Sequence, residues 1–331
     1  MSDRNSAIGR AAAALLGVIV AGIVATASAA DAAWPTHLVR IVVAQAAGGT
    51  PDMIARFIAD PLARALDVPV VVENRPGANG IIGANLVRQS PADGYTLMIG
   101  TVSTLVLTPM VTANVPFDAQ RDFAPVANLF RSVKVLWINA ALPITNVDEW
   151  VAYARARAGK LNYASGGVGS TNHIDMEIFN GETGIEMVHV PYNGPAAAIA
   201  AVASGEAQAM IVSIGGGLAL AQAGKVRGLA IFAERRSPLL PHTPTAGELR
   251  LKHRDLSAWI GLVAPAGTPA PVIARVNGDI ATVLRSPEAL AWAARQGLEI
   301  IGGTPADYAK ELADDLVEWS DVVKKMRLNR E

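Results

Sequence analysis

The sequence predicts an α/β fold built from two βαβ domains. Three observations carry that reading. Residues 41–52 run from an apolar, β-branched strand through Gly48-Gly49 into a helix start, with Thr50 and Asp52 as capping types and Pro51 in the first turn. The order strand, helix, strand, helix, strand then continues to about residue 99, which implies a parallel-type sheet with helices on its faces. From about Asn139 the pattern begins again, and a second glycine-and-hydroxyl loop, 165–173, takes the same relative position.

In the first domain, 37–43 is the opening strand. Met53, Ile54, Phe57, Ile58, Leu62 and Leu66 give the following helix an apolar face, and Pro61 is expected to kink or restart it. Residues 68–73 (VPVVVE) make a β-branched strand of buried type, 74–80 a loop, 81–89 a helix and 95–99 the third strand. Thr101-Val102-Ser103-Thr104 is a hydroxyl-rich loop at a strand's carboxyl end, where open α/β sheets place ligands. Residues 115–126 read as a polar, proline-marked connection, and 133–139 as an apolar strand.

In the second domain, 143–158 is a helix capped by Thr145 or Asn146. Strands follow at 161–164, 187–191, 207–214 and 226–233, with an Ala-rich helix at 195–204. Gly215-Gly216-Gly217 reads as a hinge-like break before a short helix. Residues 238–248, rich in Pro and Thr, read as a return crossing. A strand at 259–264, a helix after 266–269, a helix at 289–296 and a strand at 298–301 follow. The last element is an amphipathic helix whose Tyr308, Leu312, Leu316, Trp319 and Val323 share one face.

Composition narrows the classes of function. At 331 residues and 51% hydrophobic, the chain can fill two cores. A net charge of -1 leaves no basic patch for nucleic acid or an anionic membrane, and 5% aromatics leave few stacking platforms. The absence of cysteine removes disulfides, thiolate nucleophiles and Cys-ligated metals. At the N-terminus, Arg4 and Arg10 flank the approach to an apolar run, 11–25, followed by A-x-A sites at 27–29 and 30–32. This is the order of a cleavable signal peptide, 1–29, set against the alternative of a membrane anchor. The rest of the chain is expected free in the periplasm.

Catalytic signatures are missing: there is no G-x-S-x-G elbow, no Walker A and no third dinucleotide-type glycine after Gly167-Val168-Gly169. His37, His173, His189, His242 and His253 show no paired metal spacing, so neither metal nor cofactor is expected. His173 beside Ser170 offers a base near a nucleophile; the alternative is a helix-start residue beside a cap. The two glycine loops carry more. Facing each other, they present backbone N–H groups and hydroxyls from opposite sides, which suits a small anion held with no Arg. Asp52 then caps its helix, since like charges repel.

The order of short motifs also resembles a known family. It comprises Trp34-Pro35, Ala47-Gly48-Gly49-Thr50-Pro51-Asp52, 72–80 (VENRPGANG), 91–97 (PADGYTL), Phe117-Asp118, 122–126 (DFAPV), Tyr163-Ala164-Ser165, Gly169-Ser170, His173, 189–194 (HVPYNG), Pro244-Thr245 and 259–269 (WIGLVAPAGTP). Together these resemble the extracytoplasmic solute receptors of the tripartite tricarboxylate transporter system, often called Bug receptors. The resemblance covers essentially the whole chain after Trp34. It implies a two-lobed periplasmic-binding-protein fold (type II-like, a flytrap) with two crossovers, lobe one being 34–132 plus 244–331 and lobe two 133–243. It implies a monomeric binder, not an enzyme, that closes over a small carboxylate and presents it to membrane transporter subunits. Carried over by position, it puts Gln45, Ala47, Gly48, Gly49 and Thr50 on one lobe and Ser165, Gly169, Ser170, Thr171 and His173 on the other, with Thr101, Tyr192 and Ser213 near the cleft. A sensor signalling to a membrane kinase, or a secreted hydrolase using Ser170 and His173, are the competing readings. The chain departs from the family pattern at Ala44-Gln45, where Pro-Phe or Pro-Tyr is usual, so an aromatic wall has become a hydrogen-bonding amide.

Overall fold

The computed structural model describes residues 34–252 and 256–325; the signal-type segment 1–29 and His253 lie outside them. The predicted alternation opens the chain as β1 (Val39–Val43), α1 (Thr50–Leu66), β2 (Val70–Asn74), α2 (Ile81–Arg88) and β3 (Thr96–Thr101). A π-helical turn, Val102–Leu107, then runs into α3 (Thr108–Val111), where the sequence suggested only a loop. Next come β4 (Phe123–Ser132), β5 (Lys134–Asn139), α4 (Val147–Arg155), β6 (Asn162–Ser165), α5 (Thr171–Thr183), β7 (Val188–Pro191), α6 (Pro195–Ser204), β8 (Ala209–Ser213), α7 (Ile214–Gln222) and β9 (Val226–Phe232). The chain closes with β10 (Ala258–Pro265), α8 (Ala270–Leu284), α9 (Pro287–Gln296), β11 (Leu298–Ile300) and α10 (Pro305–Lys325).

These strands form a six-stranded sheet, β11-β4-β10-β3-β1-β2, and a five-stranded sheet, β7-β6-β8-β5-β9, within one compact unit from Leu38 onward. The parallel pairing expected of the alternating strands holds, but each sheet as a whole is mixed. β1 is parallel to β2 and β3, but β10 is antiparallel to β3 and β4. In the second sheet β6 is parallel to β7 and β8, but β5 is antiparallel to β8 and β9. The cause is the crossing itself. β4 carries the chain out of the first sheet, with only Val133 before β5, and β10 brings it back, so the two neighbours run in opposite directions. β4 also begins inside what read as a polar connection, taking its last four residues, 123–126. Its Pro125 lies opposite Val263, beside an irregularity in the ladder, where the missing N–H is tolerated. On the return, Ala246 N still donates to Ile231 O of β9 at 2.7 Å.

The core follows the predicted faces. Ile54, Ile58, Leu62 and Leu66 of α1 are buried, and the helix continues through Pro61. Tyr308, Leu312 and Val323 of α10 are buried, with Leu316 and Trp319 packed beside them. Gly215-Gly216-Gly217 is not a break: it forms the first turn of α7, capped by Ser213. The glycines there serve close packing, since a methyl group on Gly217 would stand 2.4 Å from Cε2 of the buried Trp137.

Candidate functional site

A cavity of about 810 Å³ lies where the carboxyl ends of β1, β3, β6, β7 and β8 converge. This is the position at which open α/β sheets bind ligands. The first sheet contributes Gln45 and Thr50 after β1, Thr101 and Ser103 after β3, and the 77–80 turn. The second contributes Lys134, Ser170, Thr171, Asn172, Tyr192 and Ser213. The two sides already touch. Thr50 Oγ1 and Ser213 Oγ are 3.1 Å apart, and Asn79 Nδ2 donates to Val168 O at 3.2 Å. The 77–80 turn is built for this reach: Ala78 and Asn79 both take left-handed backbone, at φ 45 and φ 50. That conformation costs an L-residue of order 1–3 kcal/mol and tends to gather at functional sites.

The helix starts that meet the cavity fall into two kinds. α5 and α7 are closed by side chains, Ser170 accepting from His173 N and Ser213 from Gly216 N. α1, α2 and α6 start on Gly49, Gly80 and Gly194 with no side-chain cap. An uncapped first turn keeps free N–H donors and the positive end of the helix dipole. α1 and α6 also face each other: a methyl on Gly49 would lie 3.8 Å from Pro195 Cγ, and one on Gly194 would lie 3.8 Å from Ala46 Cβ. Asp52 is not the N-cap of α1. Its Oδ2 accepts from Gly48 N at 2.9 Å, which turns that amide away from the cavity. Burial pushes the Asp52 carboxyl up, but hydrogen bonds from Arg56, the Gly48 amide and Asn74 outweigh it and hold the group below its usual range.

The second glycine loop is held from behind by a stack of rings. His173 and His189 stack at 4.0 Å between centroids, and Tyr163 stacks on His189 at 4.9 Å. The Tyr163 hydroxyl donates to Glu177 Oε1 at 2.5 Å. Gly169 N donates to His173 Nδ1 at 3.1 Å, and Ser165 Oγ lies 2.6 Å from His189 Nε2. These bonds consume the groups a hydrolase would need. Ser170 Oγ donates to Gly167 O at 2.7 Å and caps α5, so neither it nor His173 is poised toward the other as nucleophile and base. The Ser165–His189 contact is no alternative, because Ser165 is fully buried behind the wall.

Burial lowers both imidazoles to about 4, and for His189 the neighbouring His173 lowers it further while Glu177 opposes. A histidine kept neutral in the fold contributes stability that is complete above the ordinary value of 6.5 and is lost as pH falls toward about 4. Asp315 works in the opposite sense, since burial raises it to about 6 despite its bond from Trp259. A difference measurement separates them. The Tm advantage of the parent protein over His189→Gln should shrink steadily between pH 6.5 and pH 4, and an advantage independent of pH would contradict the buried, neutral stack.

Of the residues expected from sequence, the cavity wall takes in Gln45, Thr50, Thr101, Ser170, Thr171, Tyr192 and Ser213. Ala47 and Gly48 are exposed beside it, and Gly49, Ser165, Gly169 and His173 lie behind it. Tyr192 rests its ring on the second-sheet core. Burial, with Glu206 beside it, holds its phenol above the ordinary value. Sequence reasoning missed Asn79, Asn172 and, above all, Lys134. The last had a signal, a lone cation in the apolar strand VKVLWIN. The sequence of α6 shows a helix but not that its start is uncapped.

The family model of the tripartite tricarboxylate transporter family receptor, TctC, matches residues 54–328. The chain belongs to this receptor family. The resemblance drawn from the short motifs is thus borne out. The receptor is 32% identical to protein BugT of Bordetella pertussis over 315 residues, which is 94% of this chain and 96% of BugT. Among solved structures it is similar to Rpa4515 of R. palustris with adipate, at TM-score 0.87 and 34% identity, covering 90% of this chain and all of that one. It is also similar to MatC of Rhodopseudomonas palustris with bound malate, at TM-score 0.83 and 29% identity, covering 88% and 100%. The fold is the two-lobed one of periplasmic binding proteins, and fold and family are those of solute-binding receptors rather than enzymes. Membership implies a periplasmic location, and among the described residues no helix is long and apolar enough to cross a membrane.

Proposed function

We propose that the receptor captures a small organic carboxylate between its lobes and delivers it, as a monomer, to a tripartite tricarboxylate-type membrane transporter. Lobe one is 34–132 plus 244–331 and lobe two 133–243. The observation that carries this reading is the meeting of two uncapped helix starts, α1 and α6, across a cavity whose other polar side chains are hydroxyls, amides and the single ammonium of Lys134. Such a cradle favours an anion without a paired Arg. The relatives with adipate and with malate support a carboxylate of that size. Closure follows because the ligand bonds to both sides at once and so stabilises the state in which they meet.

A thermal-shift screen tests the proposal, using C4–C6 diacids, citrate, aromatic acids and acidic amino acids. At least one should give a saturable rise in Tm, since a ligand at 100 times its Kd adds about 2.7 kcal/mol to the folded state. No shift with any carboxylate, or turnover of a generic ester abolished by Ser170→Ala, would overturn it.

Gln45 sets the local character of the wall. Its Nε2 donates to Thr104 Oγ1 at 2.8 Å, and its buried Oε1 has no hydrogen-bond partner among the described residues. Gln45→Phe should move the ligand profile toward apolar or flat acids, by about tenfold in relative affinity. An unchanged profile in the same screen would show that this position does not select.

A further inference from the structure

Lys134 is the only charged side chain on the cavity wall among the described residues. It opens β5, the first strand after the chain crosses between sheets, and stands in register with Ser213, whose hydroxyl meets Thr50. Its side chain is 4% exposed, and its Nζ donates to Asp175 Oδ2 at 2.6 Å. An ammonium has three N–H donors. The other two find no acceptor among the described residues, and Asp175 Oδ1 is likewise buried without a partner. A buried charge pair this sparsely bonded is expensive, because neither ion recovers the hydration it gave up. Asp175 is 1% exposed and absent from the cavity wall, whereas Lys134 is part of it, so the pair presents its cationic member to the cavity.

We infer that Lys134 is a specificity-determining ligand contact that receives a second anionic group, so that the receptor selects dicarboxylates over monocarboxylates. The uncapped starts of α1 and α6 hold one carboxylate, and the two free N–H groups of Lys134 hold the other. Asp175 is a positioning residue that fixes the ammonium toward the cavity. This rests on the proposed carboxylate-binding function and narrows it to a dianion.

Adipate and hexanoate, equal in chain length and different by one carboxylate, test it by calorimetric titration of the whole receptor. The parent protein should bind adipate at least about tenfold tighter than hexanoate. The double variant Lys134→Gln/Asp175→Asn keeps polar side chains that can hydrogen-bond to each other while removing both charges. It should lose most of that preference through weaker adipate binding, with hexanoate changed by less than about threefold. Asp175→Asn alone should hold or raise adipate affinity, because the dianion then becomes the only counter-charge available to the ammonium. A purely structural brace predicts the reverse, a loss for both acids. An adipate-to-hexanoate ratio equal in parent and double variant overturns the inference and leaves the carboxylate function standing. Absence of binding by both acids and by every other carboxylate overturns both.

Discussion

Gly169→Ala should weaken carboxylate binding by at least about tenfold while the protein stays folded. Gly169 sits at φ 76, behind the wall contributed by the second sheet. A methyl group there would lie 2.1 Å from Cγ2 of Val111, at the end of α3 on the other side of the cleft, and 3.7 Å from Nδ2 of Asn79. Two costs result, and they act on different states. The left-handed backbone costs an L-residue about 1–2 kcal/mol whether the lobes are together or apart. The collision with Val111 arises only where the two sides meet, so it opposes the closed form that a ligand bridging both sides would favour. Adding Val111→Ala removes the second cost and leaves the first. Calorimetric titration with the best acid from the screen should therefore show affinity lost in Gly169→Ala and largely recovered in the double variant, although the double variant has the lower Tm because Val111 is a buried core residue. A single variant that binds as tightly as the parent would mean that this contact has no part in closure.

The second large effect concerns stability. Lys134→Met should destabilise the receptor by about 3–5 kcal/mol, because it strands the Asp175 carboxylate without a partner. For a chain of this size that is roughly a 5–8 °C fall in Tm. Burial already raises the Asp175 carboxyl, with Lys134 pulling it back down. Without Lys134 its pKa rises further above the unfolded value. The deficit should therefore be largest at neutral pH and shrink as the pH drops and Asp175 takes up a proton. Lys134→Gln/Asp175→Asn, with neither charge, should recover most of the loss. A deficit unchanged between pH 7.5 and pH 5 would place its cause in packing rather than charge.

Much of this was legible in the residues. The run from Ile41 to Asp52 announces a strand, a turn and a helix because each segment has its own chemistry. The face of α10 is written in the spacing of Tyr308, Leu312 and Leu316. Asn146 reads as a cap and caps α4, accepting from Glu149 N at 2.9 Å. Strand direction was legible where strands alternate with helices, as in β1 to β3, but not at the crossings, because periodicity is the same for parallel and antiparallel neighbours; the mixed sheets follow from where β4 leaves and β10 returns. The start of β4 was hidden by Pro125 and by the polar Arg121-Asp122 just before it, which look like loop until β10 lies beside the strand. The glycines of α7 imitate a hinge, and only Trp137 above them shows that they make room.

The site was half legible for a related reason. The cradle at α1 is local, so its sequence reveals it. Its opposite number was placed at 165–173, where the glycines are densest. In the fold, Ser170 closes α5 and the His173–His189 stack holds that loop from behind, while the free helix start belongs to α6. Whether a helix start is capped and what it faces are tertiary facts, and Gly194-Pro195 does not state them alone. Gln45 gains meaning in the same way, through its bond to Thr104 and the unpartnered oxygen beside it.

The central claim is that two helix starts hold a negative charge between the lobes. The most direct test is calorimetric titration of the receptor with its best C4–C6 diacid and with the corresponding uncharged diamide, which matches it in length and shape. The account predicts saturable one-to-one binding of the diacid, with the diamide at least about a hundredfold weaker. Equal affinity for the two, or no binding by any diacid, would contradict it.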